Sequence, residues 1–459
     1  MSSLPQWPSR TRRGACVSAM QWTRAGILAG AVMAAIAANA RAQEMVTLAE
    51  AMARARSATP AARALASASA EADARVGEAR AGYLPRIDLR EMVQRGDQPV
   101  FVFSSLLSQR RFAAANFAVA QLNAPSPLTN IRTSLSVEQS IFDGGLTRLA
   151  VQGAELSRDI AAAERVGATQ DLALAAAQAF VRVLQLEAAD RANGAALAAA
   201  HSDLERARAR RDAGMVTDAD VLAVDVHLAD VRQRQIATAG DLAVGRMQLA
   251  DSLGLPLEAP LTLVRPVALP PVPDENALLR DALVARADRQ QAELRVSLAE
   301  NARRAAQARF VPAAAVQAEW EFNGSSWNAQ RSSWVFGAQV QVNLFAGFGD
   351  AARLAGARHA ESRAAAEREQ VDRRIEMDVR AAVARLAAAR AREEAGRAAL
   401  SQSRESQRIV RDRYESGLAT VTDVLRAAEA ALDAESRASA AEMDVILEAV
   451  ALERARGRL

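Results

Sequence analysis

The sequence predicts a mainly α-helical protein with a small β part, built as a two-fold internal repeat of long coiled-coil helices plus four strands per chain. Three observations lead to this fold class. A turn-like motif occurs twice, two proline-free helical tracts are nearly equal in length, and one segment alternates strictly between apolar and polar residues. Duplication at fixed spacing indicates repeated structural units.

The duplicated turn sets the spacing of the two halves. Segment 211–222 matches segment 414–425, with Gly214 aligned to Gly417 and Asp220 aligned to Asp423. Upstream, a Phe-x-Gly pattern that ends the preceding segment also recurs at the same offset of 203 residues. One offset kept over about seventy residues of dissimilar sequence indicates a rigid rod of fixed length.

The N-terminus has the pattern of a secretory signal. Arginines precede an apolar run at 25–38 and small residues follow it, so residues 1–42 are predicted to be a signal peptide cleaved after Ala42. The alternative is an uncleaved anchor, although the run is shorter than the ~20 residues of a spanning helix. Cys16, the single cysteine, lies in this region, so the exported chain would have no disulfide and no cysteine nucleophile.

Charge and composition exclude several function classes. The formal net charge of +3 is small for 459 residues, and charges of both signs alternate along the helical tracts, so no nucleic acid is expected as a partner. The three histidines lack ligand or catalytic spacing, and no phosphate-loop or nucleophile motif occurs. We therefore expect no catalytic residue, no cofactor and no metal site, and a protein that is not an enzyme.

The first repeat is predicted to cover 43–252. Thr47 and Glu50 form a capping box at its start, and a proline ends its first helix. After residue 43, no apolar run approaches the length of a membrane-spanning helix. The predicted elements are helix 47–82, strand 87–93, an exposed loop at 96–130, strand 131–141, long helix 145–214 and return helix 218–253. A loop that includes a short helix is the alternative for 96–130.

A proline-rich linker, 253–275, precedes the second repeat, 276–459. In the last strand of the second repeat, the even positions are apolar, whereas the odd positions carry Gln339, Gln341 and Asn343. Such alternation indicates a strand with one apolar and one wet face, and a sheet packed on a soluble core is the alternative interpretation. The predicted elements are helix 276–308, strand 316–322, strand 334–344, long helix 349–417 and return helix 422–459.

The predicted lengths imply an assembly. At ~1.5 Å per residue each long tract measures roughly 100 Å, and the two shorter helices of each repeat together match one tract. Each half therefore supplies one full rod and two half rods. Closed membrane barrels begin at about eight strands, so a chain with four strands must pool them with other copies.

Several short motifs, in this order and spacing, identify a family. They are Leu48-Ala-Glu-Ala-Met52, Gly82-Tyr-Leu-Pro85, Phe142-Asp-Gly-Gly145 and the two turns with Asp-Val-Leu after the glycine. Over about 45–455 the chain thereby resembles the TolC family of trimeric outer-membrane efflux channels. The resemblance implies a homotrimer with a shared twelve-stranded β-barrel in the outer-membrane lipid and a trimeric α-barrel, a periplasmic tunnel, below it.

The resemblance also implies a function and partners. The trimer would be a passive channel that exports small molecules or proteins, as the exit duct of a tripartite efflux or type I secretion system. Its partners would be a periplasmic adaptor (membrane fusion) protein and an inner-membrane transporter. The alternative is a periplasmic coiled-coil scaffold or adaptor without a membrane barrel, and the alternating strands discriminate against it.

The resemblance also implies roles for three groups of residues. The lipid-facing group is Trp320, Phe322, Trp334 and Phe336. The adaptor-docking tip is Gly214, Met215, Gly417 and Leu418, for which a plain helix C-cap is the alternative. The periplasmic gate is Asp423, Arg426, Asp220 and Tyr414, for which a helix N-terminal carboxylate is the alternative at Asp423.

The gate departs from the usual family pattern at two positions. Arg426 stands where a second ring aspartate is usual, and Ala419 stands where a latch arginine is usual. Asp423 and Arg426 are three residues apart on a helix, so we expect them to pair. We also expect the second turn to set the gate and the first to serve chiefly in docking.

Overall fold

The computed structural model describes residues 44–266 and 274–459, so the predicted signal peptide and part of the proline-rich linker lie outside the described residues. The first repeat runs from β1 to α6. Its elements are β1 (Glu44–Val46), α1 (Leu48–Ser57), α2 (Pro60–Arg80), β2 (Arg86–Gly96), α3 (Pro99–Ser108), α4 (Val119–Asn123), β3 (Leu128–Phe142), α5 (Leu146–Asp212) and α6 (Asp218–Ser252).

The second repeat has the same plan with a much shorter connection between its two long strands. The linker contains β4 (Leu261–Leu263), and the elements that follow it are α7 (Glu275–Ala285), α8 (Ala287–Ala308), β5 (Ala313–Gly324), β6 (Gln330–Gln341), α9 (Gly349–Glu415) and α10 (Val421–Ala455). Single turns of 3₁₀ helix at Ala81–Tyr83 and Ala114–Phe117 complete the described elements.

The rods of the two repeats match in length, as the fold class predicted. The full rods α5 and α9 each have 67 residues, and the return helices α6 and α10 each have 35. No proline lies within either full rod, so their backbone hydrogen bonding continues without a break. The mainly α fold with two-fold internal repeat and four long strands is confirmed.

Each first half rod was predicted as one helix and is in fact two. Between α1 and α2, Thr59 accepts a hydrogen bond from the amide of Ala62 at 3.1 Å and Pro60 occupies the first turn. A proline cannot continue a helix because its ring clashes with the carbonyl four residues earlier. Between α7 and α8, Arg286 has extended backbone, with its guanidinium 2.6 Å from Asp288 and 2.9 Å from Asp378.

The main sheet is antiparallel throughout, with the order β2-β3-β5-β6. Within the described residues, β2 and β6 each pair along one edge only. A second, two-stranded sheet joins β1 to β4 in parallel, and the amide of Val264 continues it by donating to the carbonyl of Val46 at 3.0 Å. This pair was not predicted from the sequence, because three-residue strands are too short to display a period.

The largest apolar core lies where the half rods meet the middle of the full rod. In the first repeat, Phe180 of α5 is fully buried in a cluster with residues of β1, α1, α6 and α10. In the second repeat, Ile375 of α9 is fully buried in a cluster with residues of α7 and α10. Close helix approach depends on small residues: a Cβ at Gly245 would lie 3.0 Å from Leu186.

One prediction about apolar runs was wrong. Rod α5 contains an 18-residue window apolar enough by composition to cross a membrane. Of that window, 44% is buried inside the chain, because the alanine-rich surface of α5 packs against α1, α2 and α6. The apolar composition therefore serves helix packing in a long coiled-coil layer.

Candidate functional site

The two helix-to-helix turns, residues 213–217 and 416–420, lie together at one end of the rods and are called the tip. Each begins with a Schellman motif, in which Gly214 and Gly417 both have φ +74°. In the first turn the Met215 amide donates to the carbonyl of Arg210 at 2.9 Å, and in the second the Leu418 amide donates to that of Arg413 at 2.8 Å. These bonds satisfy helix-end carbonyls and need a left-handed residue, which explains both glycines.

The tip glycines are open to solvent and their apolar neighbours are exposed. No atom lies within 4 Å of a Cβ built on Gly214 or Gly417, apart from immediate neighbours. Met215 and Leu418 are 71% and 70% exposed. The positive φ, rather than internal crowding, is therefore what requires glycine, and the apolar side chains beside it contribute nothing to the core of the chain.

The carboxylates of Asp220 and Asp423 form capping boxes. Asp423 accepts hydrogen bonds from the Thr420 amide at 3.0 Å and the Thr420 hydroxyl at 2.7 Å, and Asp220 makes the same two bonds with Thr217, both at 2.9 Å. The hydrogen bond from the Thr420 backbone is the main reason that the pKa of Asp423 is lowered. Both aspartates thus have a structural role at a helix start.

Asp423 and Arg426 do not form the expected direct pair. Among the described residues no ion pair joins them, because the carboxylate of Asp423 is oriented towards Thr420, on the preceding turn. The positive charge of Arg426 still contributes to the lowered pKa of Asp423, though less than the Thr420 hydrogen bonds do. Asp423 remains exposed at the tip, so its charge faces solvent.

Tyr414 contacts the first repeat through Arg210, a residue that the sequence reasoning missed. The guanidinium carbon of Arg210 lies 4.5 Å from the centre of the Tyr414 ring, and the same group donates to the Tyr414 carbonyl at 3.2 Å. No hydrogen bond between Tyr414 and Asp220 is found in the described part of the chain. The repeat offers one signal, since Arg210 occupies the position equivalent to Arg413.

A small apolar cluster supports this contact between the turns. It is formed mainly by first residues of the return helices and last residues of α5, with Tyr414 and Leu425 at its edge. Its buried members are Leu204, Ala207, Val221, Val224 and Val421. The helix ends on either side of the two turns are consequently packed together within the chain.

Further from the tip, a charged contact joins the two return helices. Arg234 of α6 donates to Glu429 of α10 through both terminal nitrogens, one of them at 2.8 Å, and His227 Nδ1 lies 3.2 Å from the same carboxylate. The hydrogen bond from Arg234 is the chief cause of the lowered pKa of Glu429. This bridge was not foreseen, because no local motif relates residues 195 positions apart.

The main sheet has two chemically different faces. Trp320 lies directly opposite Trp334, in one cross-strand row with Leu89 and Leu135. Phe336 belongs to the neighbouring row and Phe322 to the row on the other side, so all four predicted lipid-facing residues share one face. All are exposed, Trp334 to 71%.

The opposite face of the sheet is polar. Arg132 of β3 contacts Glu319 of β5 at 3.2 Å and also Glu321, and Gln339 lies on this face in β6. No group of three or more His, Cys, Asp or Glu able to hold a metal ion occurs in residues 44–266 and 274–459. The sheet therefore separates an exposed aromatic surface from a charged one, as strands between lipid and water do.

Comparison with known protein families identifies the family that has this architecture. The family described as outer membrane efflux protein matches residues 51–255 and 278–458, which is most of the chain and one segment for each repeat. The chain belongs to the outer membrane efflux protein family. Membership assigns this efflux protein to the outer membrane and to a family of export channels, and a comparison with curated proteins gave no match.

Solved structures of other outer membrane channels share the fold of this efflux protein. The outer membrane protein VceC of Vibrio cholerae is 20% identical, with 89% of this chain and 96% of that chain covered and a TM-score of 0.73. The CmeC channel of Campylobacter jejuni is 13% identical (89% and 85% covered, TM-score 0.77). The MtrE channel of Neisseria gonorrhoeae, in its open state, is 18% identical (89% and 88% covered, TM-score 0.71).

Proposed function

We propose that three copies of this outer membrane efflux protein form a passive channel, the exit duct of a tripartite export system. The observation that carries the proposal is the four-stranded sheet. Its two outer strands are exposed on both faces, and within residues 44–266 and 274–459 neither has a partner along its outer edge. Long exposed edges are rare in isolated proteins because they template pairing with other chains. A partner along each edge is therefore needed.

Closure by identical copies fits the strand directions. All neighbouring strands of the sheet are antiparallel and their number is even, so β6 of one copy and β2 of the next also run in opposite directions. Two copies give eight strands, about the number in the smallest membrane barrels, and side chains fill the interior of a barrel of that size. Three copies give twelve strands, which leave a water-filled pore. The aromatic face would contact lipid and the polar face would line the pore.

The helices also support an assembly of copies. Return helix α6 has one buried stripe, including Val224, Val231 and Leu249, that packs on α5. A second stripe at three- and four-residue steps is apolar but exposed, and includes Leu222, Val226, Ile236 and Met247. Two apolar stripes on one helix indicate two helical neighbours, and the second neighbour would belong to another copy.

The tip would meet the other components. Met215 and Leu418 are exposed apolar residues beside open glycine backbone, a combination that lets a partner helix approach closely. We propose that they dock a periplasmic adaptor protein, which joins the channel to an inner-membrane transporter. Asp423, Arg426, Asp220 and Tyr414 would surround the periplasmic entrance, with the contact between Arg210 and Tyr414 holding the two turns together.

Cysteine cross-linking tests the trimer. Because the only cysteine lies in the predicted signal peptide, introduced cysteines would be unique in the exported protein. Arg90→Cys in edge strand β2 is combined in turn with a cysteine at 333, 335, 337 or 339, all on the polar face of edge strand β6. A disulfide needs Cα atoms within about 7 Å, so one register should give a covalent trimer in non-reducing gels.

The matched control places the first cysteine in the central strand β3, at Ser136, where both neighbours belong to the same chain. That variant should stay monomeric in the denaturing gel. Membrane-embedded protein in which no β2–β6 pair cross-links, or in which dimers are the end product, would overturn the trimer. Recovery of the protein as a soluble monomer would favour a periplasmic scaffold.

A further inference from the structure

The loop between β2 and β3 folds onto one face of the sheet, at the rim where the strands end. Helix α3 within it buries a stripe formed by Val102, Ser105 and Gln109, spaced three and four residues apart. The helix contacts β3 and β5. The equivalent connection between β5 and β6 has only a few residues and contains no helix.

Buried amides fix the position of α3. Gln109 is 1% exposed and donates to the Thr129 carbonyl at 2.9 Å and to Oδ1 of Asn130 at 3.0 Å. Asn130 in turn donates to Oδ1 of Asn323 at 2.9 Å. Buried polar groups are costly unless paired, so this chain of amides specifies one placement of the helix. Arg110, with φ +54°, adds a hydrogen bond to the Ser332 carbonyl at 3.0 Å.

The register shows which face carries the helix. Asn323 pairs with Arg132 on one side and Arg331 on the other, and Arg132 belongs to the polar face that contacts Glu319 and Glu321. Asn130 lies two residues from Arg132 on the same strand and therefore on the same face. Helix α3 consequently covers the polar face, opposite to the exposed tryptophans.

The outer side of α3 is apolar and uncovered. Val100, Ser104 and Leu107 form a stripe opposite to the buried one, and Val100 and Leu107 are 75% and 50% exposed. The remainder of the loop is held in shape by edge-to-face contacts of Phe112 with Phe103 at 4.8 Å and with Phe117 at 5.0 Å. The loop is thus a folded unit that presents apolar side chains away from the sheet.

We propose that three copies of α3 form an apolar collar that closes the outer mouth of the pore. This proposal depends on the proposed function, in which three copies form a channel and the polar face of the sheet lines the pore. A twelve-stranded barrel with strands about 4.8 Å apart and tilted about 40° is roughly 24 Å wide between backbones.

The dimensions leave little free space at the collar. A helix with its side chains is about 10–12 Å across, so three helices lying on the inner wall fill most of a lumen of that width. Their free stripes, with Val100 and Leu107, then meet near the axis. Hydrophobic constrictions exclude water and hydrated ions by dewetting, so the collar acts as an outward gate separate from the tip.

Cysteine accessibility on whole cells tests the collar in the full chain. The reporter is Glu138→Cys on the polar face, exposed within the chain and about 26 Å along β3 from Asn130. Its labelling by an externally added polyethylene-glycol maleimide should be slow when the loop is native. Val100→Ser with Leu107→Ser, or Gln109→Ala, should make labelling severalfold faster, as should replacement of 97–127 by a short turn.

Two controls make the outcome decisive. Trp327→Cys, on the exposed connection between β5 and β6, should label at one rate with either loop. Trp327→Ser also replaces an exposed apolar side chain with serine at the same rim, and it should leave the labelling rate of Glu138→Cys unchanged. Equal labelling of Glu138→Cys in native and altered loops, in protein that still gives the β2–β6 cross-linked trimer, overturns the collar. Loss of the cross-linked trimer itself would instead contradict the proposed function.

Discussion

The contact between Arg210 and Tyr414 offers the sharpest test of the tip. It joins the ends of α5 and α9 that lead into the two turns, through the Tyr414 ring at 4.5 Å and the Tyr414 carbonyl at 3.2 Å. Arg210→Ala would remove both interactions and leave the apolar cluster beneath them in place. We therefore expect the variant to fold and the two turns to separate more readily.

The expected size follows from the two interactions. A cation over an aromatic ring at an exposed site contributes about 0.5–1 kcal/mol. A hydrogen bond makes a net contribution of about 1 kcal/mol to stability. The bond from Arg210 to the Tyr414 carbonyl is partly exposed, so it should not reach the higher values of buried bonds to charged groups. Together these suggest about 1.5 kcal/mol, or roughly a tenfold shift in an equilibrium between closed and open tips.

The assay is the open probability of single channels in planar bilayers, supported by hydrogen exchange at residues 414–418. Tyr414→Ala removes the ring contact but keeps the backbone carbonyl, so it should give only part of the effect of Arg210→Ala. The double variant should add little to Arg210→Ala, because both changes remove the same ring contact. Tyr414→Phe is the matched control: it keeps the ring and the backbone carbonyl, so it should behave as wild type.

Two results would refute this reasoning. One is full additivity of Arg210→Ala and Tyr414→Ala, which would mean that the two side chains act independently. The other is a Tyr414→Phe variant that opens as much as Tyr414→Ala, which would show that the hydroxyl holds the tip closed.

Three further predictions concern the tip and the sheet. Gly417→Ala should destabilise the turn by about 1 kcal/mol through its φ, whereas Gly240→Ala within α6 should stabilise by a similar amount, as measured by hydrogen exchange. The lowered pKa of Asp423 means that its capping contribution is present above the unfolded pKa of about 3.9 and lost as pH falls through the folded value. The stability difference between wild type and Asp423→Asn should therefore vanish on acidification, and a constant difference would contradict the assignment. Trp334→Arg should cost up to about 2–4 kcal/mol and reduce heat-resistant trimer in gels, whereas Gln339→Arg on the polar face should not.

Much of the fold could be predicted because it depends on long, regular patterns. The equal offset of the glycine turns predicted two rods of one length, and both have 67 residues. Alternation in β6 predicted which side chains share a face, and Trp320 and Trp334 do lie opposite one another. Patterns of this kind survive because periodicity is repeated over many residues, so single exceptions do not hide it.

The breaks and short elements were harder to predict. The first half rods were expected to be continuous, although Pro60 already marked the end of α1. The β1–β4 pair joins three-residue segments from distant parts of the chain, and no local pattern could relate them. These features depend on packing at the middle of the rods, where the half rods meet.

The sequence by itself determined the repeat, the rod lengths, the helix caps and the alternation of the strands, because each of these is written in residues close together along the chain. The tertiary structure alone decided which partners the candidate residues have. It joined Tyr414 to Arg210 and placed α3 on the polar face through Gln109. Such choices depend on distances between segments far apart in sequence, which the fold sets and local propensity does not.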